Sequence, residues 1–166
     1  MSDTANGAAW TSGDRFPVLR ARDLERTERT LPDAFTGVWN LVVVAFRRQQ
    51  QSEVDRWVAW HATVAGDRDG FECWEVPVIG SLWSPARSFI DGGMAQAVRE
   101  THARQHTLTV YTNVAKATYA LDIADTGTVT ALLVDADGVI RWRGSGTPDE
   151  ASTAEVIALV DGPGAD

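Results

Sequence analysis

Asn40-Leu41-Val42-Val43-Val44-Ala45-Phe46 is apolar from its second residue to its last and holds three valines in a row. A strand with one wet face alternates apolar and polar residues; an unbroken β-branched run is buried on both faces, as in sheets covered by helices. The run therefore predicts a central strand with parallel neighbours. Period-two alternation sends Val42 and Val44 to one face and Leu41, Val43 and Ala45 to the other. Six apolar residues are far short of the roughly 20 that cross a bilayer as a helix.

The chain on either side supports an α/β arrangement. Downstream, Gln49 to about Val64 carries Val54, Trp57, Val58 and Trp60 near helical spacing, and Gly66-Asp67 ends the run. Phe71 to Ile79 reads as a second strand. Ser84-Pro85 opens a helix to Ile90, which breaks at Gly92-Gly93 and resumes from Met94 to about Gln105. Thr107 to Tyr111 is a third strand. Thr128 to Asp135 and Val139 to Arg143 form a hairpin about Ala136-Asp137-Gly138, where Asp-Gly supplies the positive-φ position. Thr147-Pro148-Asp149-Glu150 reads as a capping box opening a last helix, which turns Val156, Ile157 and Val160 inward. Upstream, Phe16-Pro17-Val18-Leu19 is an edge strand, since proline cannot donate to a central ladder. Residues 1–14 are expected to be a flexible leader, 15–161 one domain and 162–166 a short tail. The expected class is α/β, a central mixed sheet with helices on both faces.

Composition excludes several functions. The 166 residues carry a formal charge of −8. The excess lies late: residues 121–166 hold 2 basic and 9 acidic side chains, against 13 and 14 in residues 1–120. No basic stripe suits a nucleic-acid backbone, and no nucleic acid is expected as partner. No stable membrane insertion is expected either, and no targeting signal is visible. A single cysteine, Cys73, excludes an internal disulfide, a Cys-x-x-Cys pair and a thiolate zinc cage. A reducing cytoplasm is the expected setting.

The strand before a Trp-bearing helix, the apolar strand Val129 to Val134 with Asp135-Ala136-Asp137-Gly138 and a second strand after it, and the helix from Thr147 together resemble the thioredoxin-like superfamily. Phe46-Arg47 closing the buried strand, with Ile140-Arg141-Trp142-Arg143-Gly144-Ser145-Gly146 before a Glu-containing helix, is similar to the ATP-ten family. That resemblance implies a thioredoxin-like fold and a role in assembling a membrane protein complex.

The chemistry implied by the first resemblance is missing. Thioredoxin-like reductases place a cysteine at the start of the first helix, where the helix terminus lowers its pKa. The positions five and eight residues after Phe46 are Gln51 and Val54, and Thr128, Val129 and Thr130 stand where the late strand would be preceded by proline. No peroxidatic signature precedes Trp57. Cys73 sits mid-strand between Glu72 and Glu75, a setting for a small buried hydrophobe rather than an activated thiolate. His102 and His106 are spaced for one helix face but lack a third ligand, so no metal and no cofactor are expected. Asp135 to Gly138 lacks the distal carboxylate of a calcium loop and reads as a turn.

The expected function is a non-catalytic binding domain, an assembly or chaperone-like factor for a protein or peptide partner. The alternative is a peroxiredoxin-like or other thiol enzyme using Cys73. In open α/β sheets ligands meet the carboxyl ends of the strands. Arg47, Arg48 and Gln50 are therefore candidates for a carboxylate or a peptide backbone, with Arg141 and Trp142 as a second cluster on the same surface. Trp83 and Trp142, beside turns, are the candidate exposed tryptophans.

Overall fold

The computed structural model describes residues 14–79 and 106–162. Strand β1 (Leu19–Arg22) and strand β2 (Glu28–Leu31) pair antiparallel as a separate two-stranded ribbon. Strand β3 (Trp39–Ala45) leads through a 3-10 turn (Arg48–Gln50) into helix α1 (Gln51–Val64). Then come β4 (Phe71–Ile79), the two-residue β5 (Val110–Tyr111) and helix α2 (Val114–Leu121). Strands β6 (Thr130–Asp135) and β7 (Ile140–Ser145) and helix α3 (Glu150–Asp161) complete the described chain.

The main sheet has the order β5-β4-β3-β6-β7, so β3 is central, as its composition requires. Its neighbours differ from expectation on one side. β4 is parallel to β3, but β6 is antiparallel to it. The direction of β6 follows from the chain arriving from α2 at the end where β3 stops, and composition alone does not report it. Both faces are nonetheless dry, which is what the valine run demands.

The faces separate as alternation predicts. Leu41, Val43 and Ala45 pack with Val54 and Trp57 of α1, Val156 of α3, and Ala131 and Leu133. Val42 and Val44 pack with Trp74, Val76, Leu132 and Val134, beneath Phe16, Leu31, Phe35 and the α2 residues Ala117 and Leu121. Helices thus lie on both faces. Asn40, fully buried at the start of β3, ties this layer down: its Oδ1 accepts from Gly37 N (2.9 Å) and Trp74 Nε1 (2.9 Å), and its amide donates to Gly37 O and Val134 O.

Local details refine the expectations. The edge strand at Phe16 to Leu19 begins at Leu19 instead, and Phe16 is a core residue stacked edge-on to Phe35. Thr107 to Tyr111 contracts to β5, with single bridges at Thr107 and Thr109. The last helix is capped by Asp149 rather than Thr147: the Asp149 carboxylate accepts from Ser152 N and the Ser152 hydroxyl accepts from Asp149 N. Gly138 has φ +82° in the hairpin turn, where an L side chain is strained. The helices expected between Ser84 and Gln105 lie outside the described residues.

Candidate functional site

β3 ends at Ala45, and the chain turns outward there. Arg47 is extended (φ −143°, ψ 146°) and Arg48 starts the 3-10 turn; both side chains are exposed, as is that of Gln49. The two arginines therefore stand where the sequence places them, at the carboxyl end of the central strand. Gln50 does not share that role. Only 2% exposed, it accepts from Phe46 N through Oε1 (2.8 Å) and donates through Nε2 to Thr126 O (2.7 Å). Both ends of its amide are committed internally, so it is a structural tie.

A second tie lies one turn on. Glu53 Oε1 accepts from Thr128 Oγ1 (2.6 Å) and from Val129 N (3.1 Å), fixing the loop before β6 to α1. Nothing in the linear sequence signals this contact, whose partners are 75 residues apart. Gln51, the first residue of α1, donates from one amide nitrogen to Asp55 Oδ1 (2.9 Å) and Glu75 Oε1 (3.3 Å). Burial pushes the Glu75 carboxyl above the usual carboxylate range, and the Asp55 charge adds to that, while the Gln51 hydrogen bond opposes it. Val54 is a fully packed core side chain against β3. The helix start thus carries an amide at Gln51 and an aliphatic group at Val54.

Cys73 faces the α1 side of β4, half-buried and packed against the Leu41 cluster. Burial raises its thiol pKa strongly, and the carboxylates of Glu75 and Glu72 add to the shift. A thiol in that setting is protonated at neutral pH and is a poor nucleophile.

Arg141 and Trp142 are placed elsewhere, which corrects the second cluster. β7 runs parallel to β3 through the intervening β6, and Ile140 lies level with Asn40 across Val134. Arg141 sits in the β-bulge next to that pair, at the end of the sheet opposite Arg47. Six residues of extended chain separate the two levels, roughly 20 Å. Its Nε donates to Asp135 Oδ2 at 2.9 Å. Trp142 is buried, donates from Nε1 to Glu155 Oε1 (2.8 Å) and meets Trp57 edge-on at 6.0 Å. Its ring lies over Gly144, where a Cβ would collide with it, and Gly146 offers its carbonyl to Trp57 Nε1 (2.7 Å). The Trp-x-Gly-Ser-Gly pattern is thus explained by packing. Trp83 and His102 lie outside the described residues. His106 stacks on Trp74 at 4.0 Å and meets Glu72 at 3.0 Å, and no cluster of three metal-ligating side chains occurs among the described residues.

No family model matches the sequence, and no curated protein matches it. Solved structures do match in shape. A thiol:disulfide interchange protein from Bacteroides sp. is 18% identical, with 93% of each chain covered and a TM-score of 0.65. The thioredoxin domain of a thiol-disulfide oxidoreductase from Bacteroides vulgatus is 20% identical, covering 89% of this chain and 98% of its own, with a TM-score of 0.59. The fold is thioredoxin-like. AhpC of Mycobacterium tuberculosis also aligns, at 16% identity over 92% of both chains and a TM-score of 0.52. Identities this low carry the thioredoxin-like fold and leave activity to be argued from the residues. No helix among the described residues is long and apolar enough to cross a membrane.

Proposed function

We propose that this chain is a redox-inactive thioredoxin-like domain that works by binding a protein or peptide, as an assembly or chaperone-like factor. The observation that carries the reading is the start of α1. Gln51 and Val54 stand where a reductase of this fold would hold its thiols, and Val54 is sealed in the core. Disulfide exchange needs an attacking thiolate, and a half-buried Cys73 between two carboxylates, its thiol pKa raised, does not supply one. The thiol-enzyme alternative through Cys73 is correspondingly disfavoured.

Arg47 and Arg48 are the contact residues in this reading. The ties made by Gln50 and Glu53 hold the surrounding backbone, so the arginines project from a rigid rim. The likeness to the ATP-ten family in residues 140–146 supports an assembly role less directly, because Trp142 and its glycines serve packing. The single cysteine fits a reducing, cytoplasmic setting. The test is capture from the native host with the Arg47→Ala/Arg48→Ala double variant. It should melt as the parent does yet lose the captured partner; undiminished capture would remove these residues from the site.

A further inference from the structure

The carboxyl end of α2 carries a second concave surface, which Arg47 and Arg48 do not line. Asp14, Thr118, Tyr119, Asp122, Ile123 and Ala124 line a cavity of about 530 Å³, within the ~300–1,000 Å³ of ordinary ligand clefts. Its walls are fixed to β7. The Asp14 carbonyl accepts from Ile140 N (2.7 Å), and Arg143 donates to the carbonyls of Leu121 (2.6 Å) and Asp122 (3.0 Å). Ile123 belongs to the core, whereas Tyr119 is 90% exposed.

The lining is rich in acceptors and poor in donors. The N–H groups of Asp122 and Ile123 are spent on the carbonyls of Tyr119 (3.2 Å) and Thr118 (2.8 Å), and the Thr118 hydroxyl donates to Ala115 O (3.0 Å). The residues offer instead the carboxylates of Asp14 and Asp122 and the ring of Tyr119, and among the described residues no cationic side chain lines the cavity. Arg143 lies near enough to both carboxylates to feel their charge and balances one of the two. One negative charge beside an exposed aromatic ring therefore remains. A guanidinium is the complement of such a lining: it has five N–H donors and no acceptor, pairs with a carboxylate in bidentate fashion and stacks on an aromatic face. We infer that this cavity receives an arginine side chain of a partner protein, with its guanidinium on Asp122 and the Tyr119 ring and its stem along Ile123 and Ala124. Residues 1–13 contain no lysine, arginine or histidine, so the stretch preceding Asp14 does not bring such a side chain.

The experiment titrates the full chain with three labelled peptides in which glycine alternates with arginine, lysine or glutamate. The arginine peptide should bind tightest and the glutamate peptide should not bind. Asp122 has φ +56°, a conformation that asparagine also tolerates, so Asp122→Asn keeps the helix end intact. Asp122→Asn and Tyr119→Ala should each weaken arginine-peptide binding about tenfold, and the double variant should abolish it at an unchanged melting temperature. Arg47→Ala/Arg48→Ala should bind the arginine peptide undiminished, which separates this surface from the rim at the end of β3. A chain of charge −8 also attracts basic peptides diffusely, and that attraction would survive both substitutions. Failure of the parent to bind the arginine peptide, equal binding by the double variant, or equal binding of the lysine peptide would each overturn the inference.

Discussion

Replacing Gln50 by leucine keeps the side-chain volume near its present value but removes both hydrogen-bonding ends of the amide. In the parent, Phe46 N donates to Gln50 Oε1 at 2.8 Å and Gln50 Nε2 donates to Thr126 O at 2.7 Å, at a site only 2% exposed. The variant leaves the Phe46 N–H and the Thr126 carbonyl, both on half-buried residues, without a protein partner. Each orphaned group costs about 1–3 kcal/mol, giving roughly 2–6 kcal/mol in all, less whatever the leucine gains by burial. For a domain of this size each kcal/mol moves the melting temperature by about 2–4 °C. A fall of roughly 5–15 °C is expected by circular dichroism, with faster exchange of the Phe46 amide. If Gln50→Leu melts within about 1 °C of the parent, the tie between β3 and the loop before β6 is not formed, and the rigid rim reasoned from it fails.

Val43→Asp places a carboxylate among Trp57, Leu133 and Val156 and should cost several kcal/mol, enough to abolish the cooperative melt; a parent-like melt would contradict the central strand. Glu75 has its folded pKa raised by burial, so its ionised form opposes folding. The sign is that stability falls as pH rises from the ordinary glutamate range through the raised value, and the full cost is present above it. Glu75→Gln should therefore gain on the parent in urea midpoints as pH rises across that window, and a gap independent of pH would refute the assignment. Cys73 should react slowly with a thiol reagent in the native protein and at the rate of a free thiol in urea; equal rates would show an accessible, activated thiol.

The central strand was legible because its signal is local: six consecutive apolar residues report burial on both faces, whatever pairs with them. The direction of β6 was not, since strand polarity depends on the path of the chain between elements. Helix α2 went unread because Val114 to Leu121 spans only about two turns and sits between a strand and a turn-rich loop, leaving too short a window for periodicity to show. The ribbon strand β2, Glu28-Arg29-Thr30-Leu31, lies in a charged stretch with no strand pattern of its own, and its pairing with β1 is what makes it a strand. At the candidate site, Arg47 and Arg48 followed from the end of β3. For Gln50 and Trp142, polar or aromatic type alone does not reveal that their hydrogen-bond partners are Thr126 and Glu155. Glu53 carried no signal, as its loop partners are distant in sequence.

The claim on which the rest depends is that a thioredoxin-like fold here operates without thiol chemistry. Insulin-disulfide reduction, run with a dithiol donor alongside hydrogen peroxide turnover, measures it directly. The purified chain should give rates at the uncatalysed background in both assays, and Cys73→Ser should leave them unchanged. A rate clearly above background that Cys73→Ser abolishes would contradict the account and make Cys73 the reactive centre.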